Sequence, residues 1–198
     1  MVNLKRGAWI GSAALGLALA AAPLRAQAAT DKTEAEWNAQ KVEAKRSQID
    51  ATAGAALDQL LKGNSSAKEL YKKAYGWAAF DNLKLGFFFS GGGGKGVAVA
   101  KKTGKRTYMD MGSVGFGLAF GGKKYDVVFL FQNSKSFDNF VNKGWQAQGA
   151  ADATAGKAQA GGQTGFVNGL AIYQIGSTGL MANVDISGSK YFKDKDLN

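Results

Sequence analysis

Six cations stand where they could bind phosphate. Lys101, Lys102, Lys105 and Arg106 flank Thr103-Gly104, and Lys123 and Lys124 follow Gly121-Gly122. Read as a two-residue hairpin turn, Thr103-Gly104 sets Lys102 opposite Lys105 and Lys101 opposite Arg106. Like charges opposed across a strand pair destabilise it by up to about 1 kcal/mol. An anionic headgroup lying over them relieves that repulsion, gaining about 1 kcal/mol per basic residue near an anionic membrane surface. A simple meander that turns again near Gly112-Ser113 carries Lys123 and Lys124 to the same end of the sheet, so that all six cations share one rim. Lysines at turns also have a plainer use, since they keep strand edges soluble. Nucleic acid is a third anionic partner on charge alone. No base-stacking motif accompanies these cations, and the export signal described below argues against it.

Other chemistries find little to work with. The chain has no Cys and no His. That excludes thiolate nucleophiles, disulfides, thiolate or imidazole metal ligands and any triad with a histidine base. Gly91 to Gly96 satisfies G-x-G-x-x-G, but Val97-Ala98-Val99-Ala100 follows as a strand. The dinucleotide reading needs a helix N-terminus there to hold the pyrophosphate, so the run reads as a glycine-rich connection. A phosphate loop of the Walker type would need Gly at Phe89 and Ser or Thr at Gly96. Asp110, Asp126, Asp138, Asp152 and Asp185 are scattered, without the alternating spacing of a calcium loop. Asp110 and Asp126 fall within strand patterns and pair more readily with neighbouring lysines. No catalytic residue, metal site or cofactor is therefore assigned. An enzyme built on carboxylates would require two acids converging in one cleft. Phe87, Phe88, Phe89, Phe116, Phe120, Phe129 and Phe131 read first as core, with a lipid pocket as the alternative.

The elements that must carry the cations follow from periodicity. Thr33-Glu34-Ala35-Glu36 fits a capping box opening a helix that runs to Lys62 and stops at Gly63-Asn64. Its second half places Ile49, Ala53, Ala56, Leu57, Leu60 and Leu61 at helical spacing. Its first half, with Lys41, Lys45 and Arg46, is polar and reads as a solvated extension. Ser66-Ala67-Lys68-Glu69 is a second capping box, and that segment ends at Gly76. From Trp77 the pattern changes to strands: Leu83 to Ser90, Gly96 to Lys102, and Lys105 to Met111. Next, Val114, Phe116, Leu118 and Phe120 alternate with small residues, a core face backed by a bare one. Tyr125 to Gln132 is apolar on both faces and reads as a central strand. Ser134 or Ser136 caps a short helix with Phe137, Phe140 and Val141 that ends at Gly144. Leu170 to Ile175 and Leu180 to Ile186 form a closing hairpin. The fold class is α+β: N-terminal helices and one inserted helix on a large, antiparallel, glycine-rich sheet, closed as a barrel or stacked as a sandwich.

The first 28 residues resemble a secretory leader. Lys5 and Arg6 precede an apolar run from Ala8 to Ala22, Pro23 breaks it, and Ala26-Gln27-Ala28 is a small-x-small cleavage pattern. The run is shorter than the ~20 residues that span a bilayer. Removal takes Lys5, Arg6 and Arg25 with it, and the net charge falls from +10 to +7. The expected organisation is a leader at 1–28, a helical segment at 29–65 and one domain at 66–198. The expected location is outside the cytoplasm, in a periplasm or secreted, peripheral on a membrane.

Four runs in order then resemble a known family. They are GFFFSGGGGKGVAVAKK, GSVGFGLAFGGKKYDVVFLF, FDNFVNKGWQAQGAADATAG and LAIYQIGSTGLMANVDISGSKYF. Together, over Ala67 to Phe192, they are similar to the SYLF domain, also called the Ysc84 actin-binding domain. The resemblance implies a non-enzymatic lipid-binding module. Eukaryotic members bind phosphoinositides, helped by an N-terminal amphipathic helix, and some bind actin filaments. Bacterial members are usually exported, which sets actin aside here. The reading is an anionic-headgroup binder of the cell envelope. A structural or protein-interaction module of the envelope is the alternative.

Overall fold

The computed structural model describes residues 22–86, 89–116, 121–147, 165–181, 186 and 188–198. Residues up to Lys41 and residues from Val42 to Asn198 form separate units. Helix α1 spans Ala22–Gly63, starting well before the Thr33 box. Pro23 lies in its first turn, where its missing N–H costs nothing, and the alanines after it favour helix. From Glu34 to Lys41 the helix is exposed, as expected: Trp37 is exposed, with the Lys41 ammonium 5.1 Å from its ring centre.

Within the second unit, α2 (Ser65–Lys73) and α3 (Ser134–Lys143) are capped by asparagines, not by the serines expected. Asn64 accepts from Ala67 N–H at 2.8 Å, and Asn133 from Ser136 N–H at 2.9 Å. Each asparagine stands three residues ahead of the amide it bonds, the reach that N-capping requires. Gly144, with φ of 75°, closes α3 in a conformation that side chains resist.

Eight strands form one antiparallel sheet: β1 Gly76–Gly86, β2 Phe89–Ala100, β3 Arg106–Phe116, β4 Gly121–Phe131, β5 Trp145–Gln146, β6 Leu170–Gly176, β7 Gly179–Leu180 and β8 Ser189–Lys193. Their order is β5-β8-β3-β2-β1-β4-β6-β7, with β4 paired on both sides as a central strand. The α+β class holds, and helices lie on both faces of the sheet. On one face the second half of α1 and α2 bury Ile49, Leu57, Leu60 and Leu70 against Ala79, Val97, Val99, Val128 and Leu130. On the other, α3 buries Phe137, Phe140 and Val141 against Phe80, Met109, Phe129 and Phe131. Phe129 and Phe131 are thus core. The side chains of Phe87, Phe88, Phe89, Phe116 and Phe120 lie outside the described residues.

Three strand readings are corrected. The glycine run is no connection: Gly91 to Gly94 sits inside β2, paired with β1 and β3 at once. A Cβ at Gly94 would collide with the Asn82 side chain and the Asp81 carbonyl, and one at Gly96 with the Ala79 carbonyl and the Phe80 ring. The bare strand lets β1 side chains lie flat across it, and the Phe80 ring packs edge-on against Tyr191 at 4.7 Å. Secondly, β3 does not turn at Gly112-Ser113; both residues are paired in mid-strand. Thirdly, Val114 does not face a core but is 77 % exposed.

Candidate site: a basic cleft beside strand β3

The missing turn at Gly112-Ser113 decides where the six cations go. Because β3 runs on to Phe116, β4 starts at the far end of the sheet, and β2 and β1 stand between the two strands. Arg106 is level with Val99 and Trp77, whereas Lys124 is level with Leu83. Six positions along β1 separate them, about 20 Å at ~3.3 Å per residue. The single six-cation rim does not exist: Lys101, Lys102, Lys105 and Arg106 are at one end, and Lys123 and Lys124 are at the other.

The Lys102–Lys105 and Lys101–Arg106 oppositions are also absent. Arg106 pairs with Val99, and the turn is wider than two residues: Ala100 N–H donates to the Lys105 carbonyl at 3.0 Å and Gly104 N–H to the Ala100 carbonyl at 2.8 Å. Gly104, with φ of 69°, supplies the left-handed residue. Lys101 turns inward. Its Nζ donates to the carbonyls of Tyr71 at 2.5 Å and Ala74 at 3.1 Å, and lies 4.4 Å from the Tyr71 ring centre. It caps the C-terminus of α2, where a cation meets unsatisfied carbonyls and the negative end of the helix dipole. Burial lowers its pKa.

Lys105 and Arg106 do join a site, with partners that sequence reasoning missed. They line a cleft of about 640 Å³ together with Arg46 and Lys193. Thr103, Thr107, Asn142 and Asn198 add hydrogen-bonding groups, Tyr75, Ala100, Phe137 and Val141 an apolar floor, and Asp138 an acid. The cleft runs along the edge of β3 below β8, which pairs only with Met109 to Ser113. Its opposite wall is α3.

Two of the four cations have partners within the fold. Arg46 Nε donates to the Leu197 carbonyl at 3.0 Å, and its guanidinium lies 5.6 Å from the Tyr108 ring centre. Arg106 Nε is 3.3 Å from Asp50 Oδ2, which also accepts from the Tyr108 hydroxyl at 3.1 Å. Burial, and then the Asp50 carboxylate, raises the Tyr108 pKa. Lys105 and Lys193 are exposed and in no ion pair among the described residues. Arg46 is thus no solvated extension, as its stretch of α1 had suggested. Nothing in the local pattern marks it or Lys193, because the contact with the C-terminal tail is made only in three dimensions.

That tail is anchored by charge. Lys95 Nζ bonds Asp110 at 2.6 Å and Asp194 at 2.8 Å. Burial opposes the Lys95 ammonium, but the two carboxylates outweigh it and hold its pKa above the ordinary value. Burial likewise opposes ionised Asp194, but Lys95 and the N–H groups of Asp196 and Leu197 hold it below the usual carboxylate range. Asn198 then bonds both the N–H and the carbonyl of Tyr108, at 3.0 and 2.8 Å.

Asp81 and Asp126 are direct neighbours on β1 and β4. Burial, and then Asp81, push the Asp126 carboxyl up to about 6, while Lys124 works the other way. This pair stands on the sheet face that carries α1 and α2, at the Lys124 end and away from the cleft. Among the described residues, no group of three or more acids is arranged to hold a metal ion.

The chain is 46 % identical over 149 residues to Beta cell expansion factor A of Aeromonas veronii, and 32 % identical over 138 residues to Protein YSC84 of Saccharomyces cerevisiae. These matches take in 75 % and 64 % of this chain, and it spans only 57 % and 29 % of the lengths of those relatives. The family described as "Ysc84: Las17-binding protein actin regulator" matches residues 112–198, from the second half of β3 through the cleft wall α3 to the C-terminal tail. Residues 112–198 therefore carry a domain of the Ysc84 family, also named SYLF.

Proposed function

We propose that the domain is a non-catalytic binder of anionic phospholipid headgroups, and that it takes them in the basic cleft beside β3. The observation that carries this is the convergence of Arg46, Lys105, Arg106 and Lys193 on one cavity of about 640 Å³. That volume is within the range of small-ligand sites. Arginines suit phosphate through their planar forks, and the exposed lysines add charge near the membrane surface. Read with residues 1–28 as an export leader, the partner is a membrane of the bacterial envelope. Family membership supports a binding role of the actin- or lipid-binding type, and the headgroup itself is proposed from the cleft.

Flotation with phosphatidylcholine vesicles containing phosphatidylserine tests this. The protein floats at low salt and is released as salt screens the contact. Lys105→Glu with Lys193→Glu lowers affinity about tenfold or more, at about 1 kcal/mol per charge removed. Lys123→Glu changes it little. Salt-insensitive flotation, or none, overturns the reading. Binding to an envelope protein with no vesicle binding would instead support the protein-interaction alternative, which the family description, naming a protein partner, favours.

A further inference from the structure

The cleft beside β3 holds both signs of charge. Arg46, Lys105, Arg106 and Lys193 bring four cations to it, and Asp138 on α3 is the one acid among its lining residues. The two arginines have carboxylates of their own: Glu43 lies 3.6 Å from the Arg46 guanidinium, and Asp50 lies 3.3 Å from that of Arg106. Asp138 is exposed and, among the described residues, stands in no ion pair. Opposite charges that share a cavity of about 640 Å³ without touching leave room for a ligand that carries both signs.

The helix accounts for the placement of the acid. Phe137, Asp138, Val141 and Asn142 recur at the spacing of one helix flank. Phe137 and Val141 are buried, so Asp138 and Asn142, each one residue further on, form the exposed part of the cleft wall. Their side-chain oxygens are acceptors, whereas the facing lysines and arginines can only donate. Phosphate and carboxylate groups suit the cationic wall. An ammonium group, with three donors and no acceptor, suits Asp138 and Asn142. A purely anionic headgroup would be opposed by Asp138. A choline headgroup has no N–H to donate, and a glycerol headgroup has no positive charge.

We infer that the cleft selects amine-bearing phospholipids of the phosphatidylserine kind, with Asp138 and Asn142 receiving the primary ammonium and the four cations receiving the phosphate and carboxylate. This rests on the headgroup reading of the cleft and makes Asp138 its specificity-determining residue. The test floats the full chain with phosphatidylcholine vesicles that carry either phosphatidylserine or phosphatidylglycerol at the same mole fraction. Each of these lipids has a single net negative charge, so the long-range attraction to the two surfaces is the same. The parent binds the phosphatidylserine vesicles about three- to fivefold more tightly, the worth of one exposed charge pair. Asp138→Asn brings the two affinities within about twofold, losing on phosphatidylserine and gaining on phosphatidylglycerol. Asp138→Glu, which keeps the carboxylate, retains the preference. The ratio of the two affinities is diagnostic, since damage to the fold lowers both together. Salt-sensitive flotation with equal affinities, or with phosphatidylglycerol preferred, overturns the inference and leaves the cleft standing. A preference for phosphatidylserine that survives Asp138→Asn does the same. Absence of flotation with either lipid overturns both readings.

Discussion

Lys101 and Lys105 are four residues apart in one turn, yet one fastens a helix and the other is free to meet a ligand. Charge alone did not separate them; the carbonyls of Tyr71 and Ala74 did. Asp126 is the residue whose environment is most at odds with its charge. It faces Asp81 on one side and Ile175 on the other, with Lys124 two positions along its own strand. Its folded pKa of about 6 exceeds the value of 3.8 expected without the fold, so the native state binds the extra proton between those values. Stability is then lost as pH rises from about 4 to about 6, and the full penalty persists above that window. Asp126→Asn removes the penalty. Its Tm at pH 7 rises by about 2 °C or more over the parent, while near pH 4 the two coincide. Thermal scans across this range check it, and equal Tm values at pH 7 would count against the burial assigned to Asp126.

At the scale of elements, the most informative stretch is β2. From sequence its glycines read as a connection, because an isolated glycine run looks equally like a loop. What makes it a strand is pairing on both sides, which no local pattern encodes. The glycines are not equivalent. A Cβ at Gly94 meets the Asn82 side chain and the Asp81 backbone, whereas one at Gly91 meets nothing within 4 Å. Gly94→Ala should cost about 2 kcal/mol or more, in the range of overpacked cores. Gly91→Ala should be within about 0.5 kcal/mol of the parent, as surface changes are. Urea denaturation of the two variants decides the matter, and equal midpoints would refute the close approach of β1 side chains over β2. The helices were easier to read, since amphipathic spacing and caps are local. Their caps fall on Asn64 and Asn133 where the pattern offers serines, because at each helix start the two residue types stand within three positions of each other.

At the scale of the whole molecule, the cleft exists because the C-terminal tail returns to β3, and that return depends on the Lys95–Asp110–Asp194 cluster. Asp194→Asn leaves Lys95 with one carboxylate and weakens the bonds to Asp196 and Leu197. Breaking charged hydrogen bonds of this kind costs about 2 kcal/mol. Amide exchange should rise at Tyr108, whose N–H bonds Asn198, and the vesicle affinity of the cleft should fall. Unchanged protection at Tyr108 would show that the tail is held by other contacts. The sequence by itself determined the α+β class, the helices, the central strand β4, the family likeness, and the lack of thiol or imidazole chemistry, because composition and short-range periodicity encode these. Only the tertiary structure decided that the two lysine turns lie at opposite ends and that Arg46 and Lys193 join Lys105 and Arg106. Strand order and the return of a tail bring together residues up to about 150 positions apart, as Arg46 and Leu197 are. Side-chain pattern along the chain carries no signal for contacts of that span.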